Sequence, residues 1–211
     1  MTSIYIREVM RTDSDCEHIF KQVALIWIDA QKTTFYPLFK QRNPSLYATL
    51  LDDPDVLSID RIVKAFKLTM RYYFKLAVAV QDEKIVGYVL FIPLNFSDES
   101  INFLDRVFGG KRDDLTSEEQ AEFKRFISTD QLYIEEFMVH SSVQRKGVGT
   151  LLLEHVLNYG RDHGFMQCVV VTVEQNEKAC NFYEKLGFSK QKSFLDKNGV
   201  GVAAYEKRLT A

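Results

Sequence analysis

The stretch Val139-His-Ser-Ser-Val-Gln-Arg-Lys-Gly-Val-Gly149 decides how this chain is read. An apolar-rich run, Gln131 to His140, leads into it as a strand. From Gly147 the pattern changes to Val148, Leu151, Leu152, Val156 and Tyr159, one face of a helix. The loop between them holds two cations and two glycines. Such a loop turns backbone N–H groups toward an anion, and the helix N-terminus adds its positive dipole end. Arg145 and Lys146 add charge, and the glycines let a phosphate approach the backbone closely. The segment reads as a pyrophosphate cradle. It is not a Walker A loop, because no GxxxxGK[ST] string occurs. Nor is it a dinucleotide fingerprint, because Gly147-Val-Gly149-Thr-Leu-Leu lacks the third glycine.

Downstream, Gln167 to Val173 is a Val-rich run typical of a strand covered on both faces. Gly160 or Gly164 can end the helix before it. Lys178 to Leu186 reads as a short helix with Gly187 just past its end. Phe188 to Leu195 and Val200 to Lys207 read as a hairpin about Lys197-Asn198-Gly199, since Asn-Gly favours a tight hairpin turn. Upstream, Leu76 to Val80 and Lys84 to Ile92 form a hairpin around Gln81-Asp82-Glu83, and Pro93 is expected to end its second strand. Ser3 to Met10 alternates as a strand. Thr12 or Asp13 can cap the next helix, which carries Cys16, Ile19, Phe20, Val23 and Trp27 at helical spacing. Ser58 can cap another helix, with Ile59, Ile62, Val63, Phe66 and Met70 on one face.

Residues 94–130 differ in character, with nine Asp/Glu against five Lys/Arg. Thr116 and Glu119 make a capping box for a helix to about Ile127. This is a helical insertion, either a solvated addition or a wall over a substrate groove. The order is strand, helices, three strands, helix, strand, helix, two strands. It specifies a mixed α/β fold, a mostly antiparallel central sheet with helices on both faces. The whole chain, 1–211, is expected to be one domain.

Composition agrees. The 211 residues are 46% hydrophobic and 27% charged, enough to bury a core without crosslinks. Lys and Arg number 27 against 29 Asp and Glu, so a basic nucleic-acid coat is not expected. Cys16, Cys168 and Cys180 are scattered, and the four His show no ligand spacing, so neither a disulfide framework nor a metal site is expected. No signal peptide or membrane span is legible, and a cytoplasmic setting is expected.

Gln144-Arg145-Lys146-Gly147-Val148-Gly149 resembles the Q/R-x-x-G-x-G/A signature of the GCN5-related N-acetyltransferases. Downstream, Asn176-Glu-Lys-Ala179-Cys-Asn-Phe182-Tyr183-Glu-Lys-Leu-Gly187-Phe188 is similar to the family's second hallmark, N-x-x-A-x-x-F-Y-x-x-x-G-F. Together they cover roughly residues 131 to 190. The resemblance implies acetyl-CoA as donor and no metal. It implies that free backbone groups of Phe137, Met138 and Val139 bind the pantetheine arm as an added strand would. The pyrophosphate would sit on Gln144, Arg145, Lys146, Gly147, Val148, Gly149 and Thr150. Asn176 would contact the pantetheine arm. Phe182 would pack near the cofactor, or simply in the core.

The resemblance further implies amine acetylation by direct attack in a ternary complex. Tyr183 stands where the family keeps a tyrosine near the cofactor sulfur, as an acid for the departing thiolate. The N–H of Met138 is a candidate oxyanion donor. Many relatives carry a carboxylate at the place of Tyr133, acting through water. On a strand Tyr133, Glu135, Phe137 and Val139 share one face, and Glu136 and Met138 the other. Glu135 therefore ranks first as base, Tyr133 second and Glu136 third. Cys180 reads as a packed thiol. The acceptor is an amine, of a small molecule or a protein, and the acidic insertion would steer a cationic one. A non-catalytic acyl-CoA-binding module and a transferase for another acyl group are the alternatives. A monomer or a homodimer is expected.

Overall fold

The structure, a computed structural model, describes residues 3–10, 12–42, 57–69, 74–94, 130–195 and 201–209. Most of the acidic insertion, with Thr116 and Glu119, lies outside the described residues, as does the Lys197-Asn198-Gly199 turn. Seven strands form one sheet: β1 (Tyr5–Val9), β2 (Lys75–Gln81), β3 (Lys84–Leu94), β4 (Gln131–Val139), β5 (Gln167–Val173), β6 (Ser189–Leu195) and β7 (Gly201–Arg208). Their order is β1-β2-β3-β4-β5-β7-β6. The β4–β5 pair is parallel, and β1–β2, β2–β3, β5–β7 and β6–β7 are antiparallel. The mixed, mostly antiparallel sheet matches the pattern read from the element order. Among the described residues the α-helices are α1 (Cys16–Ala30), α2 (Tyr36–Arg42), α3 (Ile59–Thr69), α4 (Val148–Asp162) and α5 (Glu177–Lys185).

The chain divides into two compact units, Met1–Phe91 with Glu135–Val156, and Ile92–Ile134 with Leu157–Ala211. In the first, β1, β2 and β3 form a meander. Asp82 and Glu83 both have positive φ, 51° and 62°, the backbone a two-residue hairpin turn needs to match strand twist. Gln81, expected in the turn, is instead the last residue of β2. β3 also runs through Pro93 to Leu94 rather than stopping before the proline. Its pairing with β2 ends at Phe91, so the missing proline N–H removes no bond from that ladder.

α1 packs against α3 in this unit. It buries Ile19, Phe20 and Val23, as its periodicity implies, together with Ala24 and Ile26. Neither Thr12 nor Asp13 caps it. The helix starts after Asp15, without a side-chain cap. The Asp13 carboxylate is used nearer by, accepting from Met10 N–H at 3.1 Å and from Arg7 at 3.0 Å. α1 continues through one π-helical turn, Gln31–Phe35, into α2. There Tyr36 N–H bonds Gln31 O, and Pro37, which has no N–H to give, follows at once.

In the second unit β5 is central. Cys168, Val169 and Val170 are buried, as a strand covered on both faces requires. The C-terminal half of α4 lies against Leu132 and Leu209 at Gly160. A Cβ there would sit 2.7 Å and 2.4 Å from side-chain carbons of those two leucines. Gly160 is therefore a close-packing position inside the helix, and Gly164, at φ 75°, is the glycine beyond its end. α5 ends as expected at Gly187, φ 83°.

Candidate functional site

The loop after β4 is built by hydrogen bonds rather than by burial. His140 opens a single 3-10 turn, Ser141–Val143, and its ring accepts from Ser142 N–H at 3.3 Å. Asp29, near the end of α1, accepts from Ser141 N–H at 2.8 Å and from its hydroxyl at 3.0 Å. Gln144 reaches back, its Nε2 donating to Val139 O at 3.1 Å. Lys146 Nζ donates to Ser142 O at 3.1 Å, which brings its ammonium over the loop. Arg145 and Gly147 both take left-handed backbone, with φ of 63° and 84°.

These reversals aim the chain into α4. Leu151 N–H makes the first bond to Gly147 O, at 3.0 Å. The N–H groups of Val148, Gly149 and Thr150 therefore stand ahead of the helix's own ladder, as orphan donors at its positive end. Among the described residues a Cβ on Gly147 would meet nothing within 4 Å, which leaves space beside the loop. Gln144, Arg145 and Lys146 are exposed around it. Two cations, left-handed turns and three N–H groups that, among the described residues, stand ahead of the helical ladder suit a diphosphate, and the residues of the loop fit the pyrophosphate of acetyl-CoA.

The β4 residues alternate as read. Glu136 and Met138 turn toward Tyr88 of β3, whose hydroxyl lies 2.8 Å from Glu136 Oε2 and 3.2 Å from Met138 Sδ. On the other face Val139 and Leu152 of α4 close on Gly87. The β4–β5 ladder covers Gln131–Ile134 of β4, while β4 itself runs on five residues to Val139. Phe137, Met138 and Val139 belong to that continuing part. Tyr133 is buried, and Glu135 is partly so. Burial pushes the Glu136 carboxyl up to about 7, against the pull of the Tyr88 hydrogen bond, which favours the anion. Tyr88 is itself pushed well up, first by burial and then by Glu136.

In the second unit Asn176 is the N-cap of α5, its Oδ1 accepting from Ala179 N–H at 3.3 Å. Phe182 is partly buried, while Tyr183 is buried in an aromatic group. The Tyr183 ring centroid is 5.4 Å from Phe182, 5.6 Å from Phe188 and 6.1 Å from Tyr205. Burial pushes its phenol well up, with Cys168 and Cys180 adding to the effect. It therefore stays protonated near neutrality. Cys180 lies against the carbonyls of Val173 and Glu174, at 3.9 Å and 3.7 Å, a packed thiol.

Two residues of the first unit escaped the sequence reading, Tyr88 and Asp29. A tyrosine inside the apolar run of β3 carries one weak signal, since a buried phenol needs a partner. Asp29 carries none, because its partner lies 112 residues away. Among the described residues no cluster of His, Cys, Asp and Glu is arranged to hold a metal ion. No described helix is long and apolar enough to cross a membrane.

Residues 27–188 match the model of the acetyltransferase (GNAT) family. An N-acetyltransferase from Staphylococcus aureus superposes with a TM-score of 0.62 at 15% identity, covering 99% of each chain. The PaiA N-acetyltransferase from Thermoplasma acidophilum, in complex with coenzyme A, superposes at 0.61 and 12% identity, over 98% of this chain and 99% of that one. The ribosomal-protein-alanine N-acetyltransferase from Escherichia coli gives 0.55 at 14% identity, over 99% and 96%. At these identities the likeness is one of fold.

Proposed function

The chain belongs to the acetyltransferase (GNAT) family, and from that premise we propose that it is an N-acetyltransferase. It carries an acetyl group from acetyl-CoA to a primary amine by direct attack in a ternary complex. The observation that supports this reading most is the open start of α4. Three N–H groups stand ahead of the first helical bond there, beside a left-handed Gly147. We take residues 1–211 as one acetyltransferase domain, with 94–130 as its insertion.

The chemistry assigns roles along β4, the loop and α5. Gln144 to Thr150 hold the pyrophosphate. Phe137, Met138 and Val139 offer main-chain groups to the pantetheine arm, although the Val139 carbonyl already accepts from Gln144. An alkylammonium has a pKa near ~10.4, so the acceptor must lose a proton before it attacks. Glu135, Tyr133 and Glu136 are the candidates to take it. As the C–N bond forms and the C–S bond breaks, a backbone N–H of β4, with that of Met138 as the candidate, would stabilise the developing oxyanion, and Tyr183 is the candidate to return a proton to the thiolate. Asn176 orders the start of α5 as well as facing the cofactor, and Phe182 packs beside it.

Thermal unfolding with and without acetyl-CoA tests the reading, with ATP and NAD as controls. Saturation at ~100 times Kd adds roughly 2.7 kcal/mol. For a chain of this size that is a rise of about 5–10 °C. A rise with acetyl-CoA alone is expected. No rise with any coenzyme A ester would overturn the reading, and a larger rise with another acyl-CoA would reassign the acyl group.

A further inference from the structure

Tyr88 has no place in either family motif, yet it is fully buried in β3 with its hydroxyl 2.8 Å from Glu136. The edge-to-face packing of Phe66 from α3, with centroids 5.7 Å apart, helps to fix the ring. A tyrosine has few torsions to lose, so a packed ring holds its hydroxyl in one place. The phenol has one proton to give. Glu136 Oε2 at 2.8 Å is a nearer and stronger acceptor than Met138 Sδ at 3.2 Å. The pair is therefore a carboxylate held by a buried donor, on the face of β4 opposite Glu135.

We propose that Tyr88 is a positioning residue of this site, its hydroxyl holding the Glu136 carboxylate as the group that takes the proton from the incoming amine. The inference rests on the N-acetyltransferase reading above and decides among its three candidate bases. In the step, an N–H bond of the ammonium breaks and an O–H bond forms on Glu136. The nitrogen keeps the electron pair that attacks the thioester carbon. The surroundings of Glu136 suit the task. Burial lifts its carboxyl to about 7, so near neutrality it is divided between acceptor and acid. Among the described residues no cation pairs with it. α3 presents Phe66 to Tyr88, while Lys64 and Lys67 of that helix are exposed and Lys67 pairs with Glu17. Glu135, the other nearby carboxylate, points to the opposite face, and Tyr88 is the titratable group that faces Glu136 from β3.

The test is the pH dependence of kcat/KM for wild type, Tyr88→Phe, Glu136→Gln and Glu135→Gln. The probes are 1,4-diaminobutane and a peptide with a free N-terminal alanine. A parallel measurement follows the glutamate side-chain carboxyls by carbon-13 NMR, with Glu136→Gln identifying the signal. Removing a hydrogen bond to the charged form raises the carboxyl pKa. In Tyr88→Phe the Glu136 signal and the acid limb of the rate profile should therefore both move up by about one pH unit. Near pH 6.5 kcat/KM then falls roughly tenfold, while above pH 9 it stays within about twofold of wild type. Glu136→Gln should abolish the limb and Glu135→Gln should leave it.

A limb unmoved in Tyr88→Phe, an equal loss at every pH, or a limb abolished by Glu135→Gln overturns the proposal. If neither probe amine is acetylated, the NMR arm decides. A Glu136 signal titrating near the ordinary carboxylate range, or not moving in Tyr88→Phe, overturns it. Failure of wild type to be stabilised by acetyl-CoA would instead strike the N-acetyltransferase reading itself.

Discussion

At the scale of single residues, the candidate site depends on one backbone conformation and one hydroxyl. Gly147 has φ of 84°, which L side chains rarely adopt, and its missing Cβ leaves the cradle open. Gly147→Glu combines strain with a negative charge set at the proposed anion site. It is expected to abolish stabilisation by acetyl-CoA, read as the loss of the thermal shift, while the protein still unfolds cooperatively. Tyr183 gives the complementary case. Its phenol stays protonated because burial pushes it up, and Tyr183→Phe removes the proton without the ring. Turnover should fall on the order of 10²-fold with the acetyl-CoA shift retained. Unchanged turnover would favour a protein that binds acyl-CoA without catalysis. Both positions are singled out by the sequence, one by the glycine pattern and one by the Phe-Tyr pair, and these measurements test them. Among the candidate bases, alternation ranks Glu135 ahead of Tyr133 and Glu136. Alternation put Glu136 on its own face, but desolvation belongs to a tertiary environment that no strand pattern contains.

At the scale of elements, the crossover β4–α4–β5 carries the loop, and α4 must lie close for it to do so. In the first unit Gly87 admits Leu152, whose Cδ1 would be 3.1 Å from an added Cβ. In the second, Gly160 admits Leu132 and Leu209 still more tightly. Gly160→Ala improves helix propensity by about 1 kcal/mol but forces a methyl into occupied space, which costs about 1–3 kcal/mol. Its net effect should be destabilising, read as a lower urea midpoint with an unchanged slope. A stabilised variant would mean that the leucines yield. Sequence could place a glycine near the helix end, but could not distinguish a terminator from a contact. Gly160 and Gly164 lie within one helical turn of each other, and only the packed neighbours separate their roles. The absent cap of α1 has a similar origin, because Asp13 is drawn to Arg7 and Met10 instead.

At the scale of the whole molecule, acidity should act on stability in two opposed ways. Asp15 is held below its usual range by its hydrogen bond to Arg7, and Glu17 by Lys67. Each contributes stability above its unfolded pKa and loses it as pH falls through the folded one. Glu136 runs the other way, since its folded value of about 7 stands above the ordinary 4.5. Its contribution is complete below 4.5, declines as pH rises, and is gone above about 7. The loss is on the order of 3 kcal/mol. Urea unfolding at pH 5 and pH 8 should therefore show wild type weaker at the higher pH. Glu136→Gln, which cannot ionise, should lose much less between the two. Equal losses in both proteins would place the Glu136 carboxyl in water.

The kinds of elements, their order, the glycine loop at the start of α4 and the two motifs that carry the family likeness follow from the amino-acid sequence alone. These are local properties: periods of two and 3.6, left-handed turns that glycine favours, donors freed at a helix end. Tertiary structure decided which side chains meet. Tyr88 reaches Glu136 across 48 residues of sequence and Asp29 holds Ser141 across 112. Such contacts depend on strand register and helix docking, which are set by packing summed over the whole fold. Burial follows from the same packing, and with it the protonation of Glu136 and Tyr183.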